Sequence, residues 1–417
     1  MDSRRQFLRK SLMAAAAGSL SGTALAGCGG HKTHSIPGQA MAPHLHEVSG
    51  PRSLRAHAAA AGLLVGCAVN PRGLDGEPAY SQTVADQMNL LVAENAMKWG
   101  PLRPTIDTFD FRPADDIMDF AARHNQQVRG HNLCWHEELP TWFASEVNKG
   151  NAKEILIQHI QTVAGRYAGR IQSWDVVNEA ILPKDGRPDG LRKSPWLELL
   201  GPDYIDIAFH TARLADPHAL LTYNDYGIEK DTPEDTIKRG DVLMLIRRMK
   251  ARGVPLDAVG IQSHLTAGDP MPGAGLRAFV RECGRLGLQV FVTEMDVNDK
   301  KLPAAVEERD QAVAKVYQDY LTMMLAEPNV TAVLTWGVTD KYTWLDGPKF
   351  GRADGRPERP LPFDSDYQPT PAFFAERAAL DSRAARLSAP VRQGDPYAPF
   401  RPGSARGGAA GPQSERQ

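Results

Sequence analysis

The sequence predicts a single catalytic domain of the α/β class folded as a (β/α)8 TIM barrel, and three observations lead there. Short apolar runs alternate with longer amphipathic ones through the middle of the chain, the pattern of repeated βα units rather than of a sandwich. Eight such pairs fit between the two termini, over a length typical of such barrels with inserted loops. Polar and aromatic residues also gather at the ends of nearly every apolar run, where a parallel barrel carries its active site.

The chain has 417 residues, 42% of them hydrophobic, enough for a large core, and a formal charge of −2. A mildly acidic protein of this kind is not built to attract nucleic acid. Segment 1–27 opens with Arg4, Arg5, Arg9 and Lys10 and continues into a mainly Ala stretch from Leu12 to Ala26. It reads as an export signal, too short and too weak to span a bilayer. Ser3-Arg4-Arg5-Gln6-Phe7-Leu8-Arg9 resembles a twin-arginine signal, and Leu25-Ala26-Gly27-Cys28 resembles a bacterial lipobox. The implied product is an exported lipoprotein, lipidated at Cys28 and held to a membrane on its periplasmic or cell-surface side. The alternative is an ordinary signal beside an incidental cysteine.

Segment 28–51 is rich in Gly, Pro and His without hydrophobic period and reads as a flexible tether. The catalytic domain is expected over 52–382, and the Pro/Gly/Arg-rich segment 383–417 as a disordered tail. Strands are expected near 63–69, 89–93, 127–133, 171–178, 219–224, 257–263, 288–294 and 330–336. Helices fall between them, for example over 151–168, 302–326 and 371–380. With Cys28 assigned to lipid, Cys67, Cys134 and Cys283 are too few for a disulfide framework and are expected as buried free thiols. A thiol nucleophile at Cys134 is the sharper alternative.

The strand ends carry the chemistry. Glu179 closes Trp174-Asp175-Val176-Val177-Asn178-Glu179, and Glu294 closes Val290-Phe291-Val292-Thr293-Glu294. Buried apolar strands have no structural use for a terminal carboxylate, so two that end alike point to convergence on one pocket. Two carboxylates are what glycosidic bond cleavage needs. The other ends supply Glu94, Asn95 and Lys98, His131 and Trp135, Asn224 and Asp225, Gln262 and His264, Asp296, Trp336 and Trp344.

From about residue 55 to 381 these residues resemble the family 10 glycoside hydrolases, mostly endo-β-1,4-xylanases. The motifs are Glu94-Asn95-Ala96-Met97-Lys98-Trp99, Arg129-Gly130-His131, Trp174 through Ala180, Gln262-Ser263-His264-Leu265, Thr293-Glu294-Met295-Asp296 and Trp336-Gly337-Val338-Thr339-Asp340. All stand in the family's order. The resemblance implies Glu179 as acid/base and Glu294 as nucleophile, with His264 and Asp296 hydrogen-bonding near the nucleophile. It implies xylan or xylo-oligosaccharide contacts from Glu94, Asn95, Lys98, His131, Trp135, Asn178, Gln262, His264, Trp336 and Trp344. No cofactor or metal is expected, and the protein is expected as a monomer. A negative Glu294 is expected to raise the pKa of Glu179.

Asn178 and Glu179 are neighbours, and a regular strand would aim them to opposite faces. A bulge or early strand end is therefore expected there. Glu138 departs from the family's usual Gln and can accept but not donate hydrogen bonds. Asn132 and Met295 depart from Thr and Leu. Three rival readings remain open: a non-catalytic oligosaccharide-binding lipoprotein, a metal-dependent hydrolase using His131, His264 and Asp296, and a retaining hydrolase of another β-1,4-glycan.

Overall fold

A computed structural model describes residues 48–388. The segment expected as an export signal, Cys28, most of the segment expected as a tether and the residues beyond 388 lie outside the described residues. Among the described residues nine parallel strands occur in the order β6-β5-β4-β3-β2-β1-β9-β8-β7, and pairing of β6 with β8 closes eight of them into a barrel. They are β1 (Leu64–Val69), β2 (Leu90–Ala93), β3 (Gln127–His131), β4 (Ser173–Asn178), β5 (Leu220–Asp225), β6 (Ala258–Ile261), β7 (His264–Thr266), β8 (Gln289–Asn298) and β9 (Val330–Thr335). Helices lie between the strands, including Arg112–Arg123, Ala152–Arg166, Tyr204–Ala215, Pro233–Ala251, Ala274–Arg285 and Val306–Met324, with Pro371–Ser388 closing the fold. None of the described helices is long and apolar enough to cross a membrane.

The alternation of strand residues sorts the core into two layers. Leu90 and Val92 face the barrel interior with Ala68, Ala258, Phe291, Ala332 and Leu334. Leu91 and Ala93, between them in sequence, join the larger cluster under the helices. Helix starts follow local chemistry: Thr232 accepts a hydrogen bond from the Asp235 N–H, Pro233 occupies the first turn, and Glu234 and Asp235 oppose the helix dipole there.

Three expected boundaries are corrected. The domain begins before 52, because Val48 is buried and its carbonyl accepts a hydrogen bond from Gln87 Nε2 at 3.0 Å. The last helix runs through Ser388 rather than stopping near 380, because Arg383 and Arg386 are anchored on the Leu325 carbonyl at 3.3 and 3.0 Å. The strand expected over 257–263 divides into β6 and β7, since Ser263 takes a left-handed φ of 64°.

Two of the three register irregularities among the described strands fall where the site is built. In β4, Asp175 pairs with Thr222 but Val177 with Tyr223, which leaves Val176 as an extra residue. The strand then ends at Asn178, and Glu179 adopts φ 58°. The expected interruption is thus present, with its bulge two residues ahead of the neighbouring pair. A second bulge was not anticipated: β8 pairs Val292 with Val333 and Met295 with Thr335, so Thr293 and Glu294 oppose Leu334 alone. Such irregularities re-aim side chains at the rim of a barrel.

Gly260 on β6 makes room for this arrangement. A Cβ there would meet Asn224 Oδ1 at 2.1 Å and Thr293 Cγ2 at 2.9 Å. Gly260→Ala is expected to destabilise the fold by roughly 1–3 kcal/mol through overpacking and to lower activity by displacing Asn224. Thermal denaturation and steady-state kinetics on one preparation check both effects.

Candidate active site

Glu179 and Glu294 are both buried at the barrel rim, 9% and 5% exposed. Asn224, at the end of β5, joins them. Its Nδ2 donates to Glu294 Oε1 at 2.8 Å, while its carbonyl accepts from the Glu179 N–H at 2.9 Å. Thr293 Oγ1 donates to Asn224 Oδ1 at 2.7 Å, and the Asn178 amide lies 2.9 Å from Asn224 Nδ2. Gln262 forms a second link, its Nε2 donating to Glu179 Oε1 at 3.0 Å and its carbonyl accepting from the Glu294 N–H at 3.0 Å. The convergence expected from two strand ends is therefore made by β4, β5 and β8 together with the β6–β7 junction.

The two carboxyl groups sit in opposed fields. Burial raises the pKa of Glu179 above the ordinary glutamate value, and the charge of Asp225 adds to it against the hydrogen bonds from Gln262 and Trp135. Burial and Asp225, rather than the expected field of Glu294, are the leading causes. For Glu294, burial acts upward too, but the hydrogen bond from His264, the charges of His131 and His264 and the amide of Asn224 bring its pKa below the ordinary value. Two titratable groups pushed apart in this way can hold one proton between them, on Glu179.

A chain of hydrogen bonds backs Glu294. Trp344 Nε1 donates to Asp296 Oδ2 at 2.7 Å, Asp296 Oδ1 lies 2.9 Å from His264 Nδ1, and His264 Nε2 is 3.3 Å from Glu294 Oε2. Burial would lower the pKa of His264, but Asp296 and Glu294 hold it well above the usual imidazole range, so it carries a positive charge at neutral pH. β7 pairs His264 directly with Asp296 of β8, which sets the two side chains beside each other. Beneath, Arg129 is paired with Asp175 inside the barrel, and Asp175 Oδ2 holds His131 Nδ1 at 2.9 Å. Arg129 also lies 5.3 Å from the Phe291 ring.

On the opposite side, Lys98 Nζ donates to Asn95 Oδ1 at 2.9 Å and stands 5.3 Å from the Trp135 ring and 6.0 Å from the Trp336 ring. His131 meets Trp336 edge-on at 5.4 Å. Burial raises the pKa of Glu94 against the charge of Lys98. Trp135, Trp336 and Trp344 are part-exposed, whereas Trp99, Trp174 and Trp196 are core residues at 1%, 0% and 1% exposure. Glu138 is exposed with φ 52°, and its carbonyl accepts from the Gly100 N–H at 2.9 Å, just beyond Lys98 and Trp99. Cys67, Cys134 and Cys283 are buried free thiols, and burial pushes the Cys134 thiol far above its ordinary pKa, which disfavours the thiolate.

The structure thus gathers Glu94, Asn95, Lys98, His131, Trp135, Asn178, Glu179, Gln262, His264, Glu294, Asp296, Trp336 and Trp344 around one rim. Sequence reasoning noticed Asn224 and Asp225 as strand ends and quoted Arg129 and Asp175 within motifs, but gave none of the four a role. The available signal was a pair of charges inside strands otherwise buried on both faces.

Comparison with known proteins gives a consistent result. The profile of Glycosyl hydrolase family 10 matches residues 53–379. A Beta-1,4-xylanase of Dictyoglomus thermophilum is 38% identical over 308 residues, covering 71% of this chain and 83% of that protein. The crystal structure of native xylanase 10B from Thermotoga maritima superposes with a TM-score of 0.72 at 34% identity, covering 80% of this chain and 99% of that one. Xylanase 10B from Thermotoga petrophila RKU-1, solved in complex with xylobiose, gives 0.71 at 34% identity, covering 80% and 98%. With a barrel whose rim carries the paired glutamates and a family profile matched across nearly the whole of it, the chain belongs to glycosyl hydrolase family 10.

Proposed function

We propose that the protein is a retaining endo-β-1,4-xylanase, acting as a monomer on xylan or xylo-oligosaccharides and anchored to a membrane through lipid on Cys28. The observation that carries this reading is the linkage of two glutamates through Asn224 while their surroundings move their pKa values in opposite directions. Relatives named as xylanases, one holding xylobiose, support the substrate class.

In the first step ionised Glu294 attacks the anomeric carbon as Glu179 gives its proton to the leaving glycosidic oxygen, and a glycosyl ester forms. Water then attacks the same carbon, returns a proton to Glu179 and releases Glu294. His264, charged and tied to Asp296, keeps Glu294 ionised and oriented. Asn178 is placed to hydrogen-bond the sugar 2-hydroxyl, a contact that strengthens in the transition state. Glu94, Asn95, Lys98, His131 and Trp135 would hold hydroxyls on the non-reducing side of the cut. Trp336 and Trp344 would offer flat faces to the apolar side of the ring.

The trapping test uses a 2-fluoro xylobioside with a good leaving group. The expected product carries one 2-fluoroxylobiosyl group on the peptide containing Glu294, absent in Glu294→Ala. Label on another carboxylate would refute the assignment. For the anchor, Cys28→Ala is expected to move the protein from the membrane to the soluble fraction, and unchanged fractionation would rule lipidation out.

A further inference from the structure

The exposed large apolar side chains of the described residues lie mostly on helices of the outer ring, as Leu214, Ile237, Val306, Phe374 and Leu387 do. Tyr342 is the exception. It is 43% exposed and stands at the rim, in the turn that follows the C-terminal end of β9. β1 lies between β9 and β2 in the sheet, so the loops after these three strands are neighbours on the face that carries the glutamates. Contacts run without a gap from one loop to the next. The Glu94 N–H donates to the Val69 carbonyl at 3.0 Å, the Asn70 N–H donates to the Tyr80 hydroxyl at 3.4 Å, and the buried Tyr80 ring meets Tyr342 edge-on at 5.7 Å. One layer of side chains thus separates Tyr342 from Glu94. The Tyr342 hydroxyl donates to Glu77 Oε2, Lys341 Nζ donates to Glu77 Oε1, and Thr339 Oγ1 accepts from the Lys341 N–H at 3.3 Å. Lys341 and Glu77 both remain part-exposed.

We propose that Tyr342, Lys341 and Glu77 form a further sugar-binding position, which receives the xylose unit one beyond the unit held by Glu94, Asn95 and Lys98 on the non-reducing side. This rests on the proposed xylanase function. The chemistry of the three side chains fits a neutral pyranose. An aromatic ring held in place by its hydroxyl offers apolar area to the C–H face of a sugar. Lys341 Nζ has donors left after its pair with Glu77, and the Glu77 carboxylate has lone pairs left after accepting from Lys341 and Tyr342, so a sugar hydroxyl finds a partner whether it donates or accepts. The two charges cancel, which suits an uncharged unit. A single exposed tyrosine is ordinary on a protein surface, and the bond from Tyr342 to Glu77 also ties the loop after β9 to the loop after β1. That tie depends on the hydroxyl, whereas a sugar platform depends on the ring. Two substitutions therefore separate the roles.

The experiment compares kcat/KM for phenol release from an aryl xylobioside and from the matching aryl xylotrioside, in the parent protein, Tyr342→Ala and Tyr342→Phe. In the parent the third sugar should raise kcat/KM by roughly 3- to 10-fold, the scale of one aromatic contact. Tyr342→Ala should remove that gain, and Tyr342→Phe, which keeps the ring and drops the hydroxyl, should retain most of it. A parent without the gain, a gain that survives in Tyr342→Ala, an equal fall on both glycosides, or a Tyr342→Phe variant that loses as much as Tyr342→Ala would each overturn the proposal. Titration calorimetry of xylobiose and xylotriose, on proteins that also carry Glu294→Ala, reads the same position without turnover. There Tyr342→Ala should weaken xylotriose relative to xylobiose by the same factor, and an unchanged ratio would overturn the proposal. A parent protein that cleaves neither glycoside while its Glu294→Ala form shows this binding pattern would count against the proposed function and leave the sugar position standing. Cleavage of both glycosides without a gain that depends on Tyr342 would do the reverse.

Discussion

Glu294→Ala is expected to lower kcat on xylo-oligosaccharides by roughly 10⁵-fold or more, the scale on which removal of a nucleophile acts in other covalent enzymes. Binding of the same oligosaccharide should survive, because Glu94, Asn95 and Lys98 lie on other elements and the tryptophans meet β8 through Asp296, at Trp344 Nε1, and through the Met295 carbonyl, at the Trp336 N–H, rather than through Glu294. Calorimetric titration of the variant checks this. Retained turnover would exclude Glu294 as nucleophile, and lost binding would point to a folding defect rather than lost chemistry. Removing the carboxylate also leaves Asn224 Nδ2 and His264 without one of their acceptors, so circular dichroism should accompany the titration.

Glu179→Ala should act in a different way. General acid catalysis contributes typically about 10²–10⁴-fold, and it matters most where the leaving group is poor. Hydrolysis of xylan should therefore drop by that order, while formation of the glycosyl ester from an aryl xylobioside with an acidic phenol leaving group should change little. The pH dependence follows from the directions of the two shifts. Activity needs Glu294 ionised and Glu179 protonated. Because Glu294 lies below the ordinary glutamate value, the acid limb should fall only under that value, and because Glu179 lies above it, the alkaline limb should appear above it. In Glu179→Ala the alkaline limb should vanish from the ester-forming step while the acid limb stays. A variant retaining both limbs would assign the second limb to another group.

Much of this was legible in the chain because carboxylates at the ends of Val- and Phe-rich strands are anomalous wherever they occur. Glu179 and Glu294 stood out for that reason, and the flanking Trp and His residues could be placed at a rim by strand position. Asn224 could not be singled out, since a neutral amide ending a strand is unremarkable until Glu294 Oε1 is found 2.8 Å from it. The bulge at Thr293–Glu294 was also hidden, because a single extra residue alters pairing without altering composition. Ser263 splits β6 from β7 by its left-handed backbone, a conformation a serine does not advertise. At the termini, composition misled: Arg383 and Arg386 resemble a solvated tail, yet they bind the carbonyls that end the helix Val306–Met324. Val48 lies in a polar stretch and still inserts into the core.

Double displacement is the claim on which the rest depends, and the anomer formed first tests it most directly. Proton NMR of a xylo-oligosaccharide digest, recorded before mutarotation, should show the β anomer appearing ahead of the α. An α product appearing first would mean single displacement with inversion and would contradict the assignment of Glu294 as the group that bonds to sugar.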